Sequence, residues 1–437
     1  MKKYRSLAPI IMVFIMIISW YMLISDAATT HKEYNSYLGK ARSYAADGLT
    51  KYAIDNYTKA LDIKSSPEIY REVADYYKNQ NRFSDYMDWC EEFMEKYPKN
   101  ALAYECLLDA YLMDKDYEDC YTLLNKAEDR NISSDYIEQV RKDIKYIYKL
   151  DFNAYDDISV YSNNFCAVNS DGYWGFVDRY GKLRISTAYT SAGAYNQSGF
   201  APVVNKDGEA YYIDKSAERV IVTKGAYVKL GVMLNDVLAA KRPDGKYEYV
   251  NSGLKVLFGE YDYASTINGG VAAVQNNGSW MIINNSGKQI GSETYLDVIL
   301  DEKEIACRND RLFVSKEAGK YILVDTSCKQ VGSLVFEDAN VFMGGDYAAV
   351  KIDGAWKFIN KDGKLISDKT YTEAKSFANG LAAVCVDGLW GFVDETETIV
   401  IAPNFQNASY FNEKGSCFVQ LSDKWQLLKL YRLNREG

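Results

Sequence analysis

The chain has one histidine, little proline, no paired cysteine motif and no surplus of positive charge. Histidine supplies most acid–base chemistry near neutral pH and is the commonest metal ligand. With His31 alone among 437 residues, Ser-His-Asp, Cys-His and His-ligated zinc sites are excluded together. His31 itself follows an apolar run and reads as a solvated residue. Six prolines exclude a collagen-like or proline-rich stalk. The eight cysteines, Cys90, Cys106, Cys120, Cys166, Cys307, Cys328, Cys385 and Cys417, contain no Cys-x-x-Cys pair. Buried, reduced thiols are therefore expected, and no disulfide is assigned.

The 51 basic and 60 acidic side chains leave a net charge of −9. No basic stripe exists to neutralise phosphates, which excludes nucleic acid as a partner. No glycine loop has phosphate-binding spacing: the stretch from Gly175 to Gly181-Lys182-Leu183 lacks the Ser or Thr that holds magnesium. The turns at 169–172, 205–208 and 360–363 look faintly like calcium loops. A calcium loop needs an acid four positions before the Asp, where this chain has Ala167, Val203 and Phe358. These read as plain turns. No catalytic, cofactor-binding or metal-binding residue is singled out, and the chain is expected not to be an enzyme.

What is present falls into three regions. Residues 7–24, LAPIIMVFIMIISWYMLI, are uncharged, and as a helix they would span about 27 Å, the thickness of a hydrocarbon core. A transmembrane signal-anchor helix is expected there, within a segment 1–31. Lys2, Lys3 and Arg5 precede the run, while Asp26, Lys32 and Glu33 follow it. This asymmetry puts the N-terminus in the cytosol and the bulk of the chain outside, in a single-pass cell-membrane topology. Ser25-Asp26-Ala27 leaves a cleaved signal peptide as the alternative.

Residues 32–150 repeat with a period near 34: Tyr37, Tyr70 and Tyr104 form one series, and Tyr44, Tyr77 and Tyr111 another. Such a period indicates stacked helical hairpins. Breaks are expected at Asp47-Gly48, Asn79-Gln80-Asn81 and Met113-Asp114, with Pro67 and Pro98 ending units and residues 134–149 forming a capping helix. The pattern Tyr37, Ala41, Tyr44, Ala53, Tyr57, Ala60 and Pro67 resembles the tetratricopeptide repeat family, which implies a concave peptide-binding surface or a spacer. Tyr86 and Phe93 depart from the pattern by replacing small residues, and there helix packing is expected to loosen.

Residues 151–437 carry a second repeat, clearest in DGYWGFVDRYGK (171–182), DGAWKFINKDGK (353–364) and DGLWGFVDETET (387–398). Its anchors are Trp174, Ala210, Tyr247, Trp280, Tyr321, Trp356, Trp390 and Trp425, spaced by 36, 37, 33, 41, 35, 34 and 35 residues. An Asp or Asn stands four positions after each anchor except the last. Its alternation between the two types points to turn capping by the shared side-chain oxygen. Asp-Gly between alternating apolar runs predicts β-hairpins, and each unit reads as a four-element antiparallel meander. Trp174-Gly175 and Trp390-Gly391 complete a resemblance to the WG-repeat (KWG) family, which implies an envelope or interaction module without a defined reaction.

Eight units can close into a β-propeller or extend as an open β-solenoid. Closure is favoured because residues 152–160 resemble a fourth element with no unit before it, while the last hairpin, around Trp425, has none after it. The functional expectation is a membrane-tethered extracytoplasmic scaffold that binds a protein or an envelope glycan. The alternative is a carbohydrate-active or ligand-sensing propeller with a pocket, or a secreted form after signal cleavage.

Overall fold

The computed structural model describes residues 8–431. Between 8 and 28 it describes the side chains of Met12, Met16 and Trp20. The chain divides at Lys145/Tyr146 into a helical unit and a β unit that ends at Leu430.

The helices are α1 (Ala8–Ala46), α2 (Thr50–Ile63), α3 (Pro67–Asn79), α4 (Phe83–Lys96), α5 (Ala101–Asp114), α6 (Tyr117–Asp129) and α7 (Asp135–Asp143). The expectation of a membrane-spanning helix at 7–24 is corrected, because among the described residues no helix is long and apolar enough to cross a membrane. The apolar run is not an element of its own. It enters α1, which continues without a break through Asp26, His31, Lys32 and Glu33 and contacts α2 through its far end. Lys2, Lys3 and Arg5 lie outside the described residues.

Three hairpins, α1/α2, α3/α4 and α5/α6, break at or next to the expected positions, the third at Lys115-Asp116, just after Met113-Asp114, which end α5. The turns use left-handed backbone at Gly48 (φ 71°), Asn81 and Lys115, and Asn100, Asp116 and Ser134 cap α5, α6 and α7 by accepting backbone N–H bonds. Pro67 opens α3 instead of ending a unit, in the first turn, where its missing N–H has no helical partner to lose and its fixed φ suits a helix. The capping helix is also shorter than expected. It ends at Asp143, and Tyr148 already lies in a strand. Tyr86 and Phe93 do not loosen the second hairpin. Both are buried, and Tyr70 stacks on Phe93 and Trp89 with ring centroids 5.2 and 5.0 Å apart.

The β unit is a closed eight-bladed propeller. Blade 1 holds Asp157–Ile158, Phe165–Ser170, Tyr173–Asp178 and Leu183–Tyr189, paired antiparallel in chain order. Blades 2 to 7 follow at 191–222, 229–261, 263–284, 297–325, 338–360 and 373–405. Blade 8 contains Asn407–Ala408, Ser416–Leu421 and Lys424–Leu430, and takes its fourth strand from Tyr148–Tyr155 at the start of the unit. The ring is therefore closed, but by 148–155 and not by 152–160. Ile158, expected in the closing strand, pairs with Val168 in blade 1.

The motif read as a fourth element straddles two blades. Its aromatic ends the fourth strand of one blade, opposite the anchor, as in Trp174↔Tyr189, Trp390↔Phe405 and Trp425↔Tyr155. Two residues later the chain is in the first strand of the next blade. These aromatics are buried, so each hinge between blades is also a core position.

The Trp-Gly pair has a steric reason. In blades 1 and 7 the fourth strand bulges opposite the glycine, and a Cβ at Gly391 would lie 2.5 Å from Ile401 O. Where Met281, Ile322 and Lys357 take the glycine's place, in blades 4, 5 and 6, the fourth strand shrinks to two isolated bridges per blade. Blades 2, 3 and 8 keep a full fourth strand with Tyr211, Glu248 and Gln426 at that position, so the glycine allows the closest approach without being required for pairing.

Candidate functional site

The first strand of each blade and the loop behind it face the central channel. Six to eight residues separate that strand from the second one in seven blades, and in blade 5 twelve do, residues 299–310. The insertion is Asp301-Glu302-Lys303-Glu304, and it lies in the channel. It also accounts for the longest anchor spacing, the 41 residues from Trp280 to Tyr321. Asp301 forms the base of the insertion. Its Oδ1 accepts from the backbone N–H of Lys303 (2.8 Å) and Ile305 (2.9 Å), and its Oδ2 binds Arg308.

Blade 4 grips the insertion's backbone. Thr266 N donates to Glu304 O (2.7 Å), Thr266 Oγ1 donates to Lys303 O (3.1 Å), and Asn268 Nδ2 holds Cys307 O (2.7 Å). Lys229 Nζ of blade 3 pairs with Glu304 Oε1 at 2.5 Å. Lys303 Nζ donates to the carbonyl of Tyr161 in blade 1, at 3.4 Å.

Enclosure by protein disfavours charge here. Burial, reinforced by Arg308, pulls the Lys303 ammonium down to about 8. Burial also lowers Lys375, which sits over the Trp390 ring. Glu302 retains an exposed surface inside the channel, yet burial pushes its carboxyl above the ordinary range, against the pull of Lys375. Beside the insertion a cavity of about 160 Å³ is lined by Ser191, Gly193, Lys229, Gly231, Lys303 and Glu304, among others. Gly193 and Gly231 bring no side chain to it.

The Asp/Asn series does not meet in the channel. Each member caps its own turn: Asp214 Oδ1 accepts from Ser216 N (2.8 Å) and Glu218 N (2.9 Å), and Asn360 Oδ1 from Asp362 N and Lys364 N (3.0 Å each). Asp178 adds an ion pair with Arg184 at 2.6 Å, which with the capping N–H groups holds its carboxyl below the ordinary range despite burial. Among the described residues no group of acids, cysteines and histidine could hold a metal. All eight cysteines are unpaired thiols. The sequence reading missed the channel insertion, although the 41-residue spacing marked it.

In the helical unit an open groove of about 520 Å³ is lined by Arg42, Tyr57, Arg71, Glu72, Asp75 and Tyr76, among others. Its charges pair from one hairpin to the next: Arg42 with Glu72 through two bonds (2.8 and 2.7 Å), and Arg71 with Glu105 (3.2 Å).

Residues 174–208, 249–280, 358–390 and 390–425 match the family model of the WG containing repeat. These segments are similar to WG repeats. All of them lie in the propeller, and the tetratricopeptide resemblance of residues 32–150 stands on its helical pattern alone. No curated protein sequence matches the chain. Solved structures similar to it include BamB from Moraxella catarrhalis, at 11% identity over 65% of this chain and 100% of that one, with a TM-score of 0.44. The C-terminal WD40 domain of Sif2 is similar at 12% identity, over 65% and 98% of the two chains, with a TM-score of 0.44. Hsv2 from Kluyveromyces lactis follows at 9% identity, over 56% and 96%, with a TM-score of 0.37. The propeller thus places residues 301–304 of its own chain in its channel, and the Asp and Asn four positions after the anchors serve its turns.

Proposed function

We propose that the protein is a non-enzymatic scaffold whose propeller and helical hairpins bind a protein partner through their outer surfaces. The observation that carries this reading is the occupied channel. Small-molecule sites enclose about 300–1,000 Å³, whereas the cavity left beside the insertion is about 160 Å³. Three of the polar groups around it are already engaged, Lys229 with Glu304 and Lys303 with the Tyr161 carbonyl. The helical groove is larger and open, and its rim of arginine, tyrosine and carboxylates suits an extended peptide.

The test is in vivo cross-linking with the full chain, followed by titration of each purified candidate partner against the wild type and Arg42→Ala/Arg71→Ala. Saturable binding that weakens in the variant supports a peptide-like contact in the groove. A glycan is the second ligand class. Saturable oligosaccharide binding lost on Lys229→Ala would favour the pocketed alternative and overturn the scaffold reading. An extracytoplasmic location belongs to the proposal through the alternative of signal cleavage at Ser25-Asp26-Ala27, which requires no lasting membrane span. Protease added to intact spheroplasts should digest the propeller, and full protection would place it inside.

A further inference from the structure

We infer that the loop 299–310 is a strap that ties the propeller across its channel and guards the seam where the ring closes. Neighbouring blades are joined turn to turn, as by Asn163 Nδ2 to Asn196 O (2.7 Å) and Asn379 Nδ2 to Phe411 O (2.6 Å). The blade 5 loop also joins blades that are not neighbours. Glu304 reaches Lys229 of blade 3, and Lys303 reaches Tyr161 of blade 1, on the opposite side of the ring.

The target of the longest tie has a consequence. The ring is held shut without a covalent bond, by the pairing of Tyr148–Tyr155 with Lys424–Leu430. Blade 1 begins at Asp157, two residues after that strand. If the seam parts, blade 1 moves away from blade 8 with only blade 2 to hold it. A tie from blade 5 to Tyr161 opposes that movement, as a spoke opposes the opening of a rim. A loop that merely filled space would need none of these distant partners. The usual six to eight residues, as in the other blades, would suffice.

The experiment is hydrogen exchange on the full chain with two variants. One replaces 299–310 by the six-residue turn of blade 7, Lys375–Gly380. The other keeps the length and replaces Asp301-Glu302-Lys303-Glu304 by Gly-Ser-Gly-Ser, so that a failure of the shortened chain to fold does not decide the matter. The strap predicts at least tenfold faster exchange at 148–155, 159–164 and 424–430, with the hairpins 347–360 and 381–394 of blades 6 and 7 unchanged. Acceleration confined to blades 4 and 5, or unchanged or slower exchange at the seam, overturns it.

Discussion

Tyr155 stands directly opposite Trp425 in one sheet, although the first opens the β unit and the second nearly ends it. Both are buried in one cluster with Tyr161, Cys166, Phe418 and Leu427. The pair repeats the aromatic-on-anchor contact found in every other blade but blade 2, so the closing strand joins the ring by the rule that holds in six other blades.

The register of that strand gives the first prediction. Ala154 lies opposite Gln426, and Leu150 opposite Leu428. Opposed residues in an antiparallel pair have Cα atoms about 4.5–5.5 Å apart, within disulfide reach. With the native cysteines replaced, Ala154→Cys with Gln426→Cys should oxidise to an intramolecular bond, seen as a mobility shift that reductant reverses. A pair at Ile158 and Leu427 should not link, since Ile158 belongs to blade 1. A folded protein that links neither Ala154–Gln426 nor Leu150–Leu428 would refute the closure.

Trp390 is 6% exposed and packs in a cluster with Phe392, Ile401 and Phe405. Trp390→Ala should therefore act through stability, costing about 3–5 kcal/mol in denaturant unfolding. An unchanged unfolding midpoint together with selective loss of partner binding would make Trp390 a contact residue instead.

Asn360 tests the role of the Asp/Asn series. Its oxygen accepts two backbone N–H bonds, and an aspartate offers the same oxygen. Asn360→Asp should leave thermal stability nearly unchanged, whereas Asn360→Ala should cost about 1–3 kcal/mol for two lost bonds. Equal destabilisation by both changes would contradict turn capping.

Lys303 sets a pH dependence. Burial holds its folded pKa at about 8, against an ordinary 10.5. Between those values the unfolded chain binds the extra proton, so this residue's contribution to stability rises as pH rises from 8 to 10.5. Below 8 its burial cost is fully present. Lys303→Met removes the effect. Urea unfolding of both proteins at several pH values should show the wild type gaining on the variant across that window, and a constant difference would disprove it. The comparison with the variant matters because Lys375, lowered in the same direction, acts in both proteins.

The amino-acid sequence by itself determined the periodic parts of this protein. A 34-residue period placed three helical hairpins to within a few residues, and eight anchors counted eight blades. The alternation of Asp and Asn at one register position identified a turn cap. These features are local: each is specified by residues within one repeat, through helical spacing, strand alternation or a turn that bonds to itself.

Tertiary structure decided what depends on contacts between distant repeats. The closing strand was placed a few residues late, because the motif Tyr155-Asp156-Asp157-Ile158 reads as one element when its two halves serve opposite ends of the ring. The apolar run at 7–24 reads as a separate element only until the unbroken helix that continues it is seen. The anchor spacing of 41 showed that residues were inserted near blade 5, but spacing carries no direction. That Glu304 meets Lys229, and Lys303 meets Tyr161, follows only when eight sheets close and bring their first strands around one channel.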